Sequence, residues 1–159
     1  MSNSLIIKNK VKSFKKIIYV SGDKSLSIRW VLFSSLAEGV SKSKNLLMSE
    51  DVLATIQTIK KLGIKVKFEN NICIIYGKGI DGYKYKKNLT INAKNSGTLG
   101  RLILGLLINS KYPIKLIGDK SLSKRDFKRI SQPLSLFGAH FKLKKNKKLP
   151  LTICGSKNL

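Results

Sequence analysis

Ser21-Gly22-Asp23-Lys24-Ser25-Leu26-Ser27-Ile28-Arg29 joins a glycine turn, a lysine, serine hydroxyls and an arginine at the point where an apolar run gives way to a helical pattern. Ile17-Ile18-Tyr19-Val20 predicts the strand before it, and Leu26, Trp30, Phe33 and Ala37 recur at helical spacing, which predicts a core-facing stripe on the helix after it. The first backbone N–H groups of a helix have no intrahelical partner and carry a partial positive charge. An anion seated on them gains roughly 0.3–2 kcal/mol before any side chain contributes. Lys24 adds a full charge, so the loop has the makeup of an oxyanion site.

One offset of 75 residues aligns Ser21-Gly22 with Ser96-Gly97, Asp51 with Asp126 and Gly63 with Gly138. The apolar residues Val52, Ile56, Ile59 and Leu62 fall against Phe127, Ile130, Leu134 and Phe137, which reads as an internal duplication. Each copy predicts strand, helix, strand, helix, strand, strand. The first copy has strands at 17–20, 42–47, 65–68 and 72–76 and helices at 25–37 and 51–62. The second has strands at 89–91, 114–117, 140–143 and 151–153 and helices at 97–109 and 124–137. The units span 17–80 and 88–154. The literal repeat of Gly-Asp-Lys-Ser-Leu-Ser at 22–27 and 118–123 breaks this register and reads as coincidence in a lysine-rich chain, although the second occurrence leads into Lys124-Arg125.

With 159 residues, 42% of them hydrophobic and 8% aromatic, the chain has the material for one globular domain with a real core. Leu5-Ile6-Ile7 is too short for a secretory or membrane segment, so the expected setting is cytoplasmic, with no membrane partner. Cys73 and Cys154 lie in predicted strands without neighbouring ligand types, which predicts two reduced thiols rather than a disulfide or metal site. His140 sits alone in a polar-alternating strand and reads as an exposed or half-buried side chain. The net charge of +24 would suit a nucleic-acid binder. However, 28 of the 32 basic residues are lysine, beside abundant Ile and Asn, which reads as codon preference rather than a partner signal. Lys142, Lys144, Lys145, Lys147 and Lys148 read as a solvated strand face and loop.

Against that background the arginines stand out, because a planar fork does what a flexible ammonium does not. Arg29 falls one turn into the first predicted helix, Arg101 one turn into the third, and Arg125 at the head of the fourth. Arg129 has no evident role. Ser49 and Asp51 read as caps of the second helix.

Five ordered motifs carry a resemblance: 21–29 as quoted above, Leu-Ala-Glu-Gly at 36–39, Asn-Leu-Leu-Met-Ser-Glu-Asp at 45–51, Asn-Ser-Gly-Thr-Leu-Gly-Arg at 95–101 and Gly-Asp-Lys-Ser-Leu-Ser-Lys-Arg at 118–125. Together they resemble the signatures of the EPSP synthases, the 3-phosphoshikimate 1-carboxyvinyltransferases. The resemblance implies an α/β (α+β) fold of repeated β-α-β-α-β-β units, the inverse α/β prism of the enolpyruvyl transferases. It also implies transfer of the enolpyruvyl group of phosphoenolpyruvate to the 5-hydroxyl of shikimate 3-phosphate with release of phosphate, no metal and no organic cofactor, and a monomer in full-length members.

Carried over by motif, Lys24 would contact both substrates, Ser25 and Arg29 shikimate 3-phosphate, and Gly97 and Arg125 phosphoenolpyruvate. Asn95, Thr98 and Arg101 would support the second loop. Ser21 stands where the family usually has a Pro or Ala-type residue, and Ile28 where it commonly has His or Asn. Pro133 interrupts the fourth predicted helix, which predicts a kink near Arg129.

Family enzymes have two domains of three such units each, with the site between them, and this chain supplies two units. The residues from Met1 to Leu159 stop short of the family's Ser-Ser-Gln signature and of the second domain, which carries its proton-transfer groups. The expectation is therefore a partial domain, marginally stable or self-associating, with half an active site and no catalytic acid or base. A nearby alternative is the enolpyruvyl transferase acting on UDP-N-acetylglucosamine. That family has Lys-Asn where this chain has Lys24-Ser25, and a cysteine in the loop that here runs from Gly118 to Lys124 without one. A nucleic-acid module built on the same unit, as in the RNA-terminal phosphate cyclases, is the alternative from another class.

Overall fold

The computed structural model describes residues 4, 6, 8, 10, 13, 15–144 and 148–156. Helices α1 (Lys24–Leu36), α2 (Glu50–Lys61), α3 (Gly97–Leu106) and α4 (Lys128–Leu136) alternate with strands β1 (Glu38–Lys44), β2 (Lys65–Glu69), β3 (Ile72–Lys78), β4 (Thr90–Asn92), β5 (Ile114–Ile117), β6 (His140–Lys144) and β7 (Lys148–Cys154). The strands form two sheets, ordered β1-β3-β2 and β4-β5-β7-β6. At one edge of each sheet lies an antiparallel hairpin, β2 with β3 and β6 with β7. Gly63 and Gly138, the paired glycines of the duplication, enter those hairpins with φ of +87° and +84°, where a side chain would be strained. The duplication is thus written into the backbone as well as the sequence.

One continuous core joins the two sheets, running from Ile28, Leu32, Ile59 and Ile75 to Leu99, Ile103, Leu116, Phe127 and Ile153. Helix α1 packs on α2, on β3 and on α3, so the two halves share it. Val52, Ile56, Ile59 and Leu62 are all buried along α2, as their spacing predicts. Cys73 is buried and Cys154 half-buried, and both thiols are free. His140, Lys142 and Lys144 are exposed along β6 and Lys148 is half-buried in β7. Lys145 and Lys147 lie outside the described residues. No helix among the described residues is long and apolar enough to cross a membrane.

Four local readings need correction. Residues 17–20 form no strand and their side chains are exposed, and no strand pairs with them among the described residues. The Asn45 amide donates to the Val20 carbonyl at 3.1 Å. The third predicted element begins earlier, at Glu38, since pairing with β3 carries a polar strand from Glu38 to Lys44. It ends there as Asn45 turns into positive φ.

On α1 the buried face is Ile28, Val31, Leu32 and Ser35, while Leu26 and Phe33 of the predicted stripe are 66% and 59% exposed. Apolar residues surround this helix, and the face that wins contains serines whose hydroxyls are satisfied. Ser35 donates to the Leu32 carbonyl at 2.5 Å and shares a 2.7 Å bond with the Tyr83 hydroxyl, while Ser27 accepts from the Leu47 N–H.

The fourth predicted helix divides into a 3-10 turn at Leu122–Lys124 and α4 from Lys128. Arg125 therefore lies in extended backbone before α4 rather than at its head. Two carboxylates set this break, Asp119 accepting the Leu122 N–H and Asp126 the Lys128 N–H. Phe127 is buried as expected, Ile130 and Leu134 are half-buried, and Phe137 at the end of the stripe is exposed. Pro133 lies inside α4.

Candidate anion-binding site

Asp23 opens α1. Its carboxylate accepts the Leu26 N–H at 2.7 Å, which satisfies one orphan donor and fixes the first turn. Lys24 follows as the first helical residue, and its ammonium lies 3.3 Å from Asp51 in the first turn of α2. Asp51 thus holds a cation instead of acting only as a cap. Ser49 occupies the cap position of α2, yet its hydroxyl makes no capping bond and is buried without a partner. Ser25 is half-buried and Arg29, one turn on, is exposed. Neither side chain makes a hydrogen bond or ion pair within the described chain, so their donors are available to a ligand.

The second loop is built more tightly. Ser96 is buried and its hydroxyl accepts the Leu99 N–H at 3.2 Å, opening α3. A Cβ placed on Gly97 would fall 2.6 Å from Nη1 of Arg125 and 3.6 Å from Nη1 of Arg101. Two guanidinium groups therefore converge on the one backbone position that carries no side chain, at a helix start. Neither guanidinium donates to the protein among the described residues. Positive helix end, bare backbone and two free planar forks together have the chemistry to receive a phosphate or carboxylate.

A web of short bonds ties the strand of chain carrying Arg125 to the Gly97 loop. The Asp119 N–H donates to the Lys94 carbonyl at 2.8 Å, and the Asn95 amide donates to Oδ2 of Asp119 at 2.6 Å. Oδ1 of Asp119 accepts the Leu122 N–H at 2.7 Å, and the Arg125 N–H closes the turn onto the Leu122 carbonyl at 3.1 Å. The Leu122 N–H foremost, then the Asn95 amide, the Ser121 N–H and the Arg125 charge, outweigh partial desolvation and hold the Asp119 carboxyl below the usual carboxylate value.

Of the residues singled out by motif, the fold brings Gly97, Arg101 and Arg125 to one point, with Asn95 bonded beside them. Thr98 follows Gly97 in α3. Lys24, Ser25 and Arg29 share the first turns of α1, and no hydrogen bond or ion pair links them to the Arg125 set among the described residues. The two sets are connected through the packing of α1 on α3. Arg129 is exposed in α4. Sequence reasoning missed Asp51 as the partner of Lys24 and Asp119 as the anchor of its loop. The signal was the discounted repeat: in both copies of Gly-Asp-Lys-Ser-Leu-Ser the aspartate accepts the leucine N–H three residues on, at 2.7 Å each time. The described residues contain no group of three or more His, Cys, Asp or Glu that could hold a metal.

Comparisons with known proteins bear on the family and the fold. The family model for EPSP synthase (3-phosphoshikimate 1-carboxyvinyltransferase) matches residues 8–159. A 3-phosphoshikimate 1-carboxyvinyltransferase of Streptococcus suis is 42% identical over 96% of this chain and 36% of its own length. That of Oenococcus oeni is 38% identical over 94% and 35%. An EPSP synthase structure from Acinetobacter baumannii superposes with a TM-score of 0.81 at 36% identity, covering 87% of this chain and 31% of its own. The chain spans about a third of the length of the curated relatives it matches. On the extent of the family match, the shared fold and the identities, the chain belongs to the EPSP synthase family.

Proposed function

We propose that this chain supplies the substrate-holding half of an active site that transfers the enolpyruvyl group of phosphoenolpyruvate to the 5-hydroxyl of shikimate 3-phosphate, releasing phosphate. The observation that carries the reading is the convergence of the Arg125 and Arg101 guanidinium groups on Gly97 at the start of α3. In this reading Gly97 and Arg125 hold phosphoenolpyruvate, Ser25 and Arg29 hold shikimate 3-phosphate, and Lys24, kept in place by Asp51, reaches both. Asn95, Thr98 and Arg101 shape the second loop. The units 17–80 and 88–154 each contribute one of the two helix starts. Both ligands are charged metabolites, which accords with a cytoplasmic setting.

Holding two anions is a different task from moving protons between them. Four carboxylates beside these loops are already committed: Asp23 to the Leu26 N–H, Asp51 to Lys24, Asp119 to Leu122 and Asn95, and Asp126 to the Lys128 N–H. No general acid or base is assigned among the described residues, so the 159-residue chain alone is expected to bind without turning over.

Calorimetric titration of the chain with shikimate 3-phosphate, then with phosphoenolpyruvate, tests this. Arg29→Ala should weaken the first ligand about 10- to 100-fold, the range for losing a charge-assisted hydrogen bond, and Arg125→Ala should do the same to the second. Absence of saturable binding by either metabolite would overturn the proposal. So would RNA binding that falls steeply with salt and that shikimate 3-phosphate does not displace.

A further inference from the structure

We infer that Asp119 is a positioning residue for Arg125, fixing the turn that aims the guanidinium at Gly97 without forming an ion pair with it. The inference rests on the reading of Arg125 as an anion-holding group and adds what places it there. Asp119 is an exposed carboxylate in a chain of net charge +24, with Lys120, Lys124 and Arg125 close in sequence. The ion pairs among the described residues are Lys24 with Asp51 and Lys67 with Glu69, and Asp119 is in neither. Its two oxygens instead accept the Leu122 N–H at 2.7 Å and the Asn95 amide at 2.6 Å.

Each bond has a geometric consequence. The Leu122 bond starts the 3-10 turn whose last N–H, that of Arg125, returns to the Leu122 carbonyl at 3.1 Å and leaves Arg125 extended. The Asn95 bond, with the Asp119 N–H on the Lys94 carbonyl, clamps that turn to the loop two residues before Gly97. Lys94 has a φ of +52° and its N–H is held by the Asn92 carboxamide, so the clamp's far side is itself a fixed turn. Asp119 therefore joins the two pieces of backbone whose separation sets the gap between Arg125 and Gly97. A group acting this way has an effect opposite in sign to that of its charge. Removing a negative charge beside an anion site strengthens binding by simple electrostatics, whereas releasing the turn weakens it.

The test compares phosphoenolpyruvate binding to the intact chain, Asp119→Ala, Asp119→Asn, Arg125→Ala and the Asp119→Ala/Arg125→Ala double variant, with melting temperature as a fold control. Asp119→Ala should bind about tenfold more weakly, as expected if one arm of the arginine fork is misplaced. Asp119→Asn, whose amide oxygen can still accept the Leu122 N–H, should recover most of the loss. The double variant should be no weaker than Arg125→Ala. Unchanged or tighter binding by Asp119→Ala would overturn the inference, as would additive losses in the double variant. If the unaltered chain binds no phosphoenolpyruvate, the proposed function fails and the Arg125 side-chain N–H resonance decides this point. It should shift in Asp119→Ala and return in Asp119→Asn, and a resonance unmoved by either change would refute the positioning role.

Discussion

Adding a single methyl group at Gly97 probes the arrangement more sharply than removing an arginine. A Cβ there would sit 2.6 Å from Nη1 of Arg125 and 3.7 Å from its Cζ. Ordinary contact for a Cβ begins at 3.4 Å, so the guanidinium must retreat by about 0.8 Å. The backbone can take the change: Gly97 is not among the glycines with positive φ, and it is the first residue of α3. Gly→Ala at a compatible position stabilises by roughly 0.4–1 kcal/mol through the unfolded chain. Losing one arm of a two-bond grip on an anion costs about 1.5–3 kcal/mol, a roughly 10- to 100-fold fall in affinity. Gly97→Ala should thus leave the melting temperature unchanged or raised while phosphoenolpyruvate affinity falls and shikimate 3-phosphate affinity holds. Calorimetric titration beside a thermal melt reads both quantities. Full phosphoenolpyruvate affinity in a stable Gly97→Ala chain would refute the claim that Arg125 grips its anion over this glycine.

The buried face of α1 predicts unequal truncations: Ile28→Ala should cost about 2–5 kcal/mol and Leu26→Ala less than about 0.5 kcal/mol by urea unfolding, and equal costs would contradict it. At Gly63, with φ of +87° and the Lys84 carbonyl 2.6 Å from where a Cβ would stand, alanine should destabilise by about 1–3 kcal/mol in the same assay; a neutral result would mean that this turn differs in solution. Burial pushes the Cys73 thiol up to about 11, against a slight lowering by Lys60. Because the folded thiol holds its proton more tightly, its contribution to stability is full below pH 9 and declines as pH rises toward 11. Near pH 8 Cys73 should react with an alkylating reagent roughly 100-fold more slowly than an ordinary thiol, and labelling at the unfolded rate would count against its burial.

What the sequence made legible follows from whether the signal was local and periodic. Helix α2 reads correctly because Val52, Ile56, Ile59 and Leu62 hold most of its apolar surface on one stripe, Leu53 alone of the large apolar side chains lying off it, with Glu50 and Asp51 at one end and Lys60 and Lys61 at the other. Helix α1 carries apolar residues all round, so the choice of face fell to the neighbours that cover Ile28 and to the Ser35–Tyr83 bond, which joins residues far apart in sequence. The strand expected at 17–20 has the right composition and no partner, and pairing is a property of two segments rather than one. Motif spacing singled out Gly97 and Arg125, which the fold brings together, but not the aspartates that arrange their surroundings. Asp51 was legible as a cap because a carboxylate in a first helical turn is favourable by itself. Its pairing with Lys24 becomes visible only when α1 lies against α2.

The proposed function turns on two helix starts, one bearing Lys24, Ser25 and Arg29 and the other Gly97 with Arg125, each receiving one anion. Residue-resolved NMR titration of the chain with shikimate 3-phosphate followed by phosphoenolpyruvate measures this most directly. The account predicts saturable shifts confined first to residues 22–29 and then to 95–101 and 118–125. Shifts spread across the lysine-rich strand faces, or none at either helix start, would contradict it.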